Sequence, residues 1–412
     1  MARPRTGSAG GRSGRPPAER PGTADAGTQA PRRPGSTRAR RPPSSPPPAA
    51  PVGPRWLRFS EIAGQREAIW RIQAASAAGR LHHALLLDGP AGCGKTSLAV
   101  ALAAALSCRA RTGPAAPPPL DTVLHAPEPL TWPLEACGSC PSCRKMPDHP
   151  DLVRLSVEEG KTRIAIEQVR DLAVQMAYPP HESPCRTVIV READRLSPEA
   201  ANALLKTLEE PTRGNLVVLT TSRPASLLPT IRSRCVRVPL RPLPPGTLRR
   251  LLAREFPDAS DATLDLAAGL SAGGMVRAKE LMANDPSAAM AAMGDFGRAV
   301  DAGDLAGLLA AVESLGPDRD RAAADLDLLL VLLRDRLASA VGESTFLGTT
   351  ASAAVDAFAR HPAEAVAVEG GLVSEARRNL EANANPQITL EWLATACARA
   401  VARARRGSSP DG

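Results

Sequence analysis

Residues Leu85–Thr96 read LLLDGPAGCGKT. Three apolar residues run into a glycine-rich loop that ends in Lys and Thr. The spacing Gly89, Gly94, Lys95, Thr96 completes G-x-x-x-x-G-K-[ST], the phosphate-binding loop. Leu85–Leu87 is predicted to be a buried central strand. Gly89, Gly92 and Gly94 let the backbone curl until its N–H groups converge on an anion at a helix N-terminus. Lys95 would neutralise the β- and γ-phosphates, and Thr96 would hold Mg²⁺. The run SLAVALAAALS that follows is a strong helix former, so strand, loop and helix stand in the order the motif requires. The nucleotide-binding set read here is Gly89, Pro90, Ala91, Gly92, Cys93, Gly94, Lys95, Thr96 and Ser97, joined by Thr221 from a later strand. The expected ligand is ATP or ADP.

Outward from this loop, composition limits the rest. The chain has 412 residues, room for two or three domains, and is 43% apolar but only 2% aromatic. Its cores must be built from Ala, Leu and Val, which favours helices. The formal net charge is +8, and much of the excess lies in the first fifty residues. No apolar run approaches the ~18–20 residues needed to span a bilayer. The N-terminus lacks an apolar signal core, so a cytoplasmic protein is expected. Residues 1–54 are rich in Pro, Arg, Gly, Ser and Ala and are expected to be a disordered basic tail. Its Arg residues suit a polyanion, or simply solvent.

Eight Cys in a chain read as non-secreted point to metal or free thiols rather than disulfides. Cys137-x-x-Cys140-x-x-Cys143 together with Cys108 supplies four thiolates, a closed tetrahedral shell for a structural Zn²⁺. An iron–sulfur site or free thiols are the other readings, and His149 is a possible substitute for Cys108. The module lies within 108–145. The Pro-rich stretch between Cys108 and Cys137 shows no periodicity and is expected to be a loop.

Beyond the cysteines, DLVRLSVEE, Thr187–Val190 and NLVVLTTS read as strands. Ile164–Arg170 and AANALLKTLEEP read as helices, the second opened by Ser197-Pro198-Glu199. LLPTIRSRCVRVPL is expected to form a turn and a last short strand. Strands alternating with helices imply a parallel sheet, with ligands at the C-terminal strand ends. Gly89–Thr96, Arg191–Asp194 and Thr220–Ser222 would then line one edge. Gly64-Gln65, which opens the helix before the first strand, would lie against adenine or merely cap that helix. From about Arg241 the strand signals vanish. Short helices are expected over 244–290 and longer ones over 296–406, with NANPQITLEW opening the last.

GPAGCGKT, the Cys₄ knot after the P-loop helix, ADRLSPEAANALLKTLEEP, LLPTIRSRC and the late NANPQITLEW together resemble bacterial clamp-loader subunits of the AAA+ class. Within that class the chain looks most like the delta-prime group of the DNA polymerase III holoenzyme. The resemblance is strong over about 56–240 and weaker beyond. It implies an α/β P-loop AAA+ nucleotide-binding domain over 55–240 carrying the inserted zinc module, a small helical lid over 241–292, an all-α collar over 293–406 and a disordered end over 407–412. It also implies partners: other clamp-loader subunits in a hetero-oligomeric ring, a sliding clamp, and primed DNA reached through the complex, with no membrane.

The resemblance assigns residues as well. Arg234 of Ser233-Arg234-Cys235 would be an arginine finger for the neighbouring subunit's ATP site, because a planar, permanently charged fork meets phosphoryl oxygens as charge develops. Arg277 matches the lid Arg that approaches the γ-phosphate in cis; a helix-capping Arg is the other reading. An active ATPase of the family has Asp-Glu where this chain has Arg191-Glu192. Glu192 keeps the water-orienting position, but a cation replaces the metal-binding carboxylate. Asp194, two residues on from Glu192, would reach the metal only through water. Nucleotide binding is therefore expected, with Mg²⁺ held weakly, while Arg191 leaves hydrolysis by this chain itself in doubt. The competing readings are an active motor subunit of the tau/gamma kind, and a zinc-containing nucleic-acid-binding scaffold with a relic P-loop.

Overall fold

The computed structural model describes residues 56–111, 113–127, 130–316, 318–342 and 352–407. The tail expected over 1–54 and the last residues, 408–412, lie outside the described residues. Strands β1 (Ala84–Asp88), β2 (Leu152–Leu155), β3 (Arg186–Val190), β4 (Asn215–Thr221) and β5 (Val236–Pro239) form one sheet in the order β2-β3-β4-β1-β5. Every pairing is parallel, as the alternation of strands and helices predicts. β1, β3 and β4 are buried at every position because helices cover both faces. Successive side chains of a strand point to opposite faces. Leu85 and Leu87 accordingly enter one core, and Ala84 and Leu86 the other.

The first core is closed by helices α1 (Arg66–Ala77) and α2 (Lys95–Ser107), together with the cysteine-bearing insertion. That insertion contains helices α3 (Leu120–His125) and α4 (Pro141–Arg144). The stretch expected to be a loop is thus partly helical and packed. Arg66 of α1 donates to the carbonyls of Val123 and Leu124, Trp70 donates to Pro118 O, and the Gln73 amide pairs with both backbone groups of Leu134. Trp132 is 2% exposed. A six-residue helix held by such distant partners leaves no periodicity to read. The second core is closed by α5 (Ile166–Met176), α6 (Pro198–Glu209) and α7 (Pro229–Arg234). Ser197 caps α6, its hydroxyl accepting from Ala200 N, with Pro198 in the first turn. α7 occupies the place expected to be a turn, because Pro229 starts a helix that buries Ile231.

Nine helices follow among the described residues: α8 (Pro245–Glu255), α9 (Asp261–Leu270), α10 (Met275–Ala283), α11 (Pro286–Ala302), α12 (Leu305–Ser314), α13 (Arg319–Ala340), α14 (Ser352–Ala359), α15 (Ala363–Glu381) and α16 (Pro386–Gly407). One apolar cluster runs through them from Leu243 to Val401. The boundary expected at 292/293 falls inside α11 and is corrected. Asp285 caps that helix by accepting from Ser287 N, and Gly303 ends it at φ +69°, so the chain changes element at 284–285 instead. α16 continues through Gly407, one residue into the end expected to fray. None of the helices is long and apolar enough to cross a membrane.

The join between α5 and β3 is held by a buried polar knot. Asp151, 1% exposed, accepts from the backbone N–H groups of His181, Glu182 and Ser183 at 2.6, 2.8 and 2.9 Å. Arg186, 2% exposed, donates to the carbonyls of Gln175, Tyr178 and Pro179. Burial alone would raise the Asp151 pKa, but the N–H donors outweigh it and hold the carboxyl below its ordinary value of 3.8. A carboxyl whose pKa is depressed by folding contributes stability that is full above the unfolded value and is lost as pH falls through the folded one. Asp151→Ala leaves three N–H groups without their acceptor, and a loss of about 3 kcal/mol is expected in urea unfolding at pH 7. The difference from wild type should shrink as the pH is taken below about 4.

Candidate nucleotide site and cysteine cluster

β1 delivers Asp88 to the P-loop, and Gly94 caps α2 at φ +102°. Two glycines here are required by close approach. A Cβ on Gly89 would stand 2.5 Å from Leu240 O. Gly92 has φ +74°, a Cβ there would lie 3.0 Å from Val276 N, and its carbonyl accepts from Met275 N at the start of α10. The loop therefore sits between the sheet and α10. Gln65 staples it further: its amide donates to Cys93 O at 3.1 Å and Arg241 O at 2.7 Å, and accepts from Arg241 N. That is a structural task for the residue singled out beside Gly64.

Lys95 Nζ donates to the carbonyls of Gly89 and Pro90 at 2.7 and 2.6 Å. Burial lowers its pKa, opposed by Cys93, Asp194, Glu192 and Asp88. Burial likewise raises the Cys93 thiol. Gly89 N donates to Thr221 O at the end of β4. The structure thus brings Gly89–Ser97 and Thr221 to one edge of the sheet, at the N-terminus of a 13-residue helix. Free N–H groups there suit an anion.

The carboxylates at this edge are mostly committed. Arg191 and Glu192 both leave β3 with exposed side chains. Glu192 has φ +49°, donates its N–H to the Thr220 hydroxyl, and its carboxylate lies 3.2 Å from Arg195 Nε. Asp194 is half-buried as a residue, with its side chain 3% exposed, and accepts from the Thr221 hydroxyl at 2.7 Å and from Arg223 Nε at 3.1 Å. Arg223 also donates to Glu381 at the end of α15, at 2.7 Å. Asp88 accepts from Arg237 Nε at 2.9 Å and from its Nη2 at 2.6 Å, a two-pronged pair. No sequence motif marks Arg223, Arg237 or Glu381; only Asp88 carries a signal, as the polar end of the LLLD run.

Arg234 ends α7. Its guanidinium donates to Thr230 O at 3.0 Å and lies 2.6 Å from the Glu209 carboxylate of α6. Arg277 lies on α10, but its guanidinium donates to Ala324 O of α13 and lies 3.4 Å from Glu280. Both arginines thus bond to groups outside the P-loop.

The sulfurs of Cys108, Cys137, Cys140 and Cys143 lie within 4.8 Å of one another, and all four are free thiols. Cys108–Cys140 is 3.9 Å and Cys137–Cys143 is 4.0 Å. Four sulfurs around a tetrahedral Zn²⁺ at ~2.3 Å would stand about 3.8 Å apart, so the cluster fits that ion. Backbone N–H groups of Cys137 and Cys140 point at the Cys108 and Cys137 sulfurs. Donors at Ser139 pull the Cys137 thiol down to about 6, while burial pushes Cys143 far up. His149 stands outside the cluster, its Nδ1 accepting from Asp151 N, so the possible substitution for Cys108 is corrected.

A family model described as DNA polymerase III, delta subunit, matches residues 126–244, and one described as magnesium chelatase, subunit ChlI, matches 58–112. DNA polymerase III subunit gamma/tau of Mycobacterium tuberculosis strain H37Rv is 37% identical over 197 residues, 48% of this chain and 31% of that protein. The chain thus spans about a third of the gamma/tau relatives. DNA polymerase III subunit delta' of Pseudomonas aeruginosa is 36% identical over 229 residues, covering 54% of this chain and 62% of that one. For subunit delta' of Escherichia coli K12 the identity is 34% over 270 residues, covering 65% of this chain and 73% of the relative. By that match the chain belongs to the DNA polymerase III subunit delta' family.

Proposed function

We propose that this chain is the delta-prime-like subunit of a replicative clamp loader. It binds ATP or ADP at Gly89–Ser97 and Thr221 and donates Arg234 to the ATP site of a neighbouring subunit. The assembly then loads a sliding clamp onto primed DNA in the cytoplasm. Helices α8–α10 serve as the lid and α11–α16 as the collar that joins the other subunits into a ring. Cys108, Cys137, Cys140 and Cys143 hold a structural Zn²⁺, whose closed shell leaves no position for catalysis.

The carrying observation is an asymmetry. A cation, Arg191, leaves β3 where a carboxylate would hold Mg²⁺, and the half-buried Asp194 already serves Thr221 and Arg223. Mg²⁺ is therefore weakly held here, and Glu192, paired with Arg195, has no metal-bound phosphate to act upon. Arg234, by contrast, is a partly exposed fork at the end of a short helix, suited to another subunit's phosphates.

The test is omission and restoration in an assembly built with its ATPase subunit, clamp and primed DNA. Clamp-dependent ATP turnover should vanish without this chain and return with wild type and, nearly in full, with Lys95→Ala. The isolated chain should bind nucleotide without turning it over. Turnover by the isolated chain that Lys95→Ala abolishes would replace this reading with an active motor subunit.

A further inference from the structure

We propose that Glu209 is the positioning residue that aims Arg234 at the neighbouring subunit's phosphates; the inference rests on the arginine-finger reading above. Arg234 stands at the end of a six-residue helix that buries only Ile231. A long side chain in such a place samples many rotamers unless something holds it. Here one terminal nitrogen donates to Thr230 O at 3.0 Å and reaches Ser233 Oγ at 3.5 Å, while the other lies 2.6 Å from Glu209 Oε1. Two of these acceptors belong to α7 itself. Only Glu209 comes from another element, α6, which is anchored in the core through Leu204 and Leu208. Glu209 therefore ties the finger to the body of the domain while the Arg234 side chain stays 35% exposed.

A second observation agrees. Glu209 is the last residue of α6, and Glu210 is its C-cap. Anions at a helix C-terminus face its unsatisfied carbonyls, so local preference is against both. Residues that break a local rule gather at sites with another task. Across from this acidic end stands Arg234, whose guanidinium compensates the misplaced charge. The same pair, viewed from the other side, fixes the direction of the guanidinium.

The experiment uses the reassembled complex. Glu209→Ala is expected to lower kcat at the neighbouring site about tenfold, as a catalytic group loses its geometry. KM for ATP and the thermal midpoint of this chain should stay unchanged. Glu209→Gln keeps an acceptor oxygen and should restore most of the rate. In an Arg234→Ala background Glu209→Ala should add nothing. If Arg234→Ala collapses turnover and Glu209→Ala does not, the positioning role is overturned and the finger stands. If Glu209→Ala lowers the rate equally in both backgrounds, Glu209 acts elsewhere and the inference is also overturned. If neither substitution matters, the finger reading fails and takes this inference with it.

Discussion

Arg234→Ala, placed in the reassembled clamp loader, is expected to lower ATP turnover at the neighbouring site about a thousandfold while leaving nucleotide binding there nearly intact. Negative charge spreads over the equatorial oxygens as the γ-phosphoryl is transferred, and a guanidinium brought to them stabilises that state more than the bound ground state. Such an interaction appears in kcat rather than in KM. Lys is not an equivalent, since a point charge on a flexible stem lacks the planar fork, so Arg234→Lys should recover only part of the rate. The measurement is phosphate release at saturating ATP, set beside binding of a fluorescent nucleotide. The reading fails if Arg234→Ala keeps kcat within about threefold of wild type, well short of what a trans arginine supplies. The same preparation containing Lys95→Ala isolates the P-loop of this chain. If that substitution is the damaging one, the nucleotide bound here drives the cycle.

What could be read from the chain before its fold was known was whatever is contiguous or periodic. Gly89–Thr96 is one unbroken segment whose strand, loop and helix are neighbours in sequence, and its backbone approach to Leu240 and Met275 only reinforces the need for glycine. β3 and β4 are apolar runs because both faces are covered, so the parallel sheet was legible too. The cysteines were legible by spacing. Other features depend on tertiary partners. α3 is too short for a period, and the residues that hold it are Arg66 and Trp70 on a different helix. The 292/293 boundary falls inside α11, although Asn284-Asp285-Pro286-Ser287 carries a local signal, a capping Asp followed by a first-turn Pro, that marks the earlier change of element. The line from Asp194 through Arg223 to Glu381, continued by Arg377 and Asp327, joins the nucleotide edge to α15 and α13. Each residue in it is an ordinary surface charge until the chain folds.

Cys143→Ser is expected to take the zinc content of the purified chain from one ion to nearly none, and its effects should spread beyond the module. Structural Zn²⁺ contributes on the order of 10–16 kcal/mol of apparent binding free energy in small zinc peptides, and that energy is folding energy. Cys143 is 1% exposed and lies 4.0 Å from Cys137, so serine offers a poorer, harder ligand inside a closed shell. Without the ion, three thiols and a hydroxyl converge with nothing to neutralise the low-pKa Cys137, and the segment from 108 to 145 should become open to protease. Trp132 and Leu134 belong to the same core as Leu98 and Leu102 of α2, so their loosening reaches the nucleotide domain directly. There is a shorter route as well. Cys108 is the C-cap of α2, whose other end is the P-loop. Loss of metal frees that end of the helix, and nucleotide affinity should fall along with the thermal midpoint. Cys397→Ser, in the separate helical core, serves as the control that changes a buried thiol without touching the metal. Zinc retained in full by Cys143→Ser would place the ion on other ligands and sever the argument at its first step. A zinc-free variant with undiminished nucleotide affinity would instead show that α2 is held by its apolar packing alone.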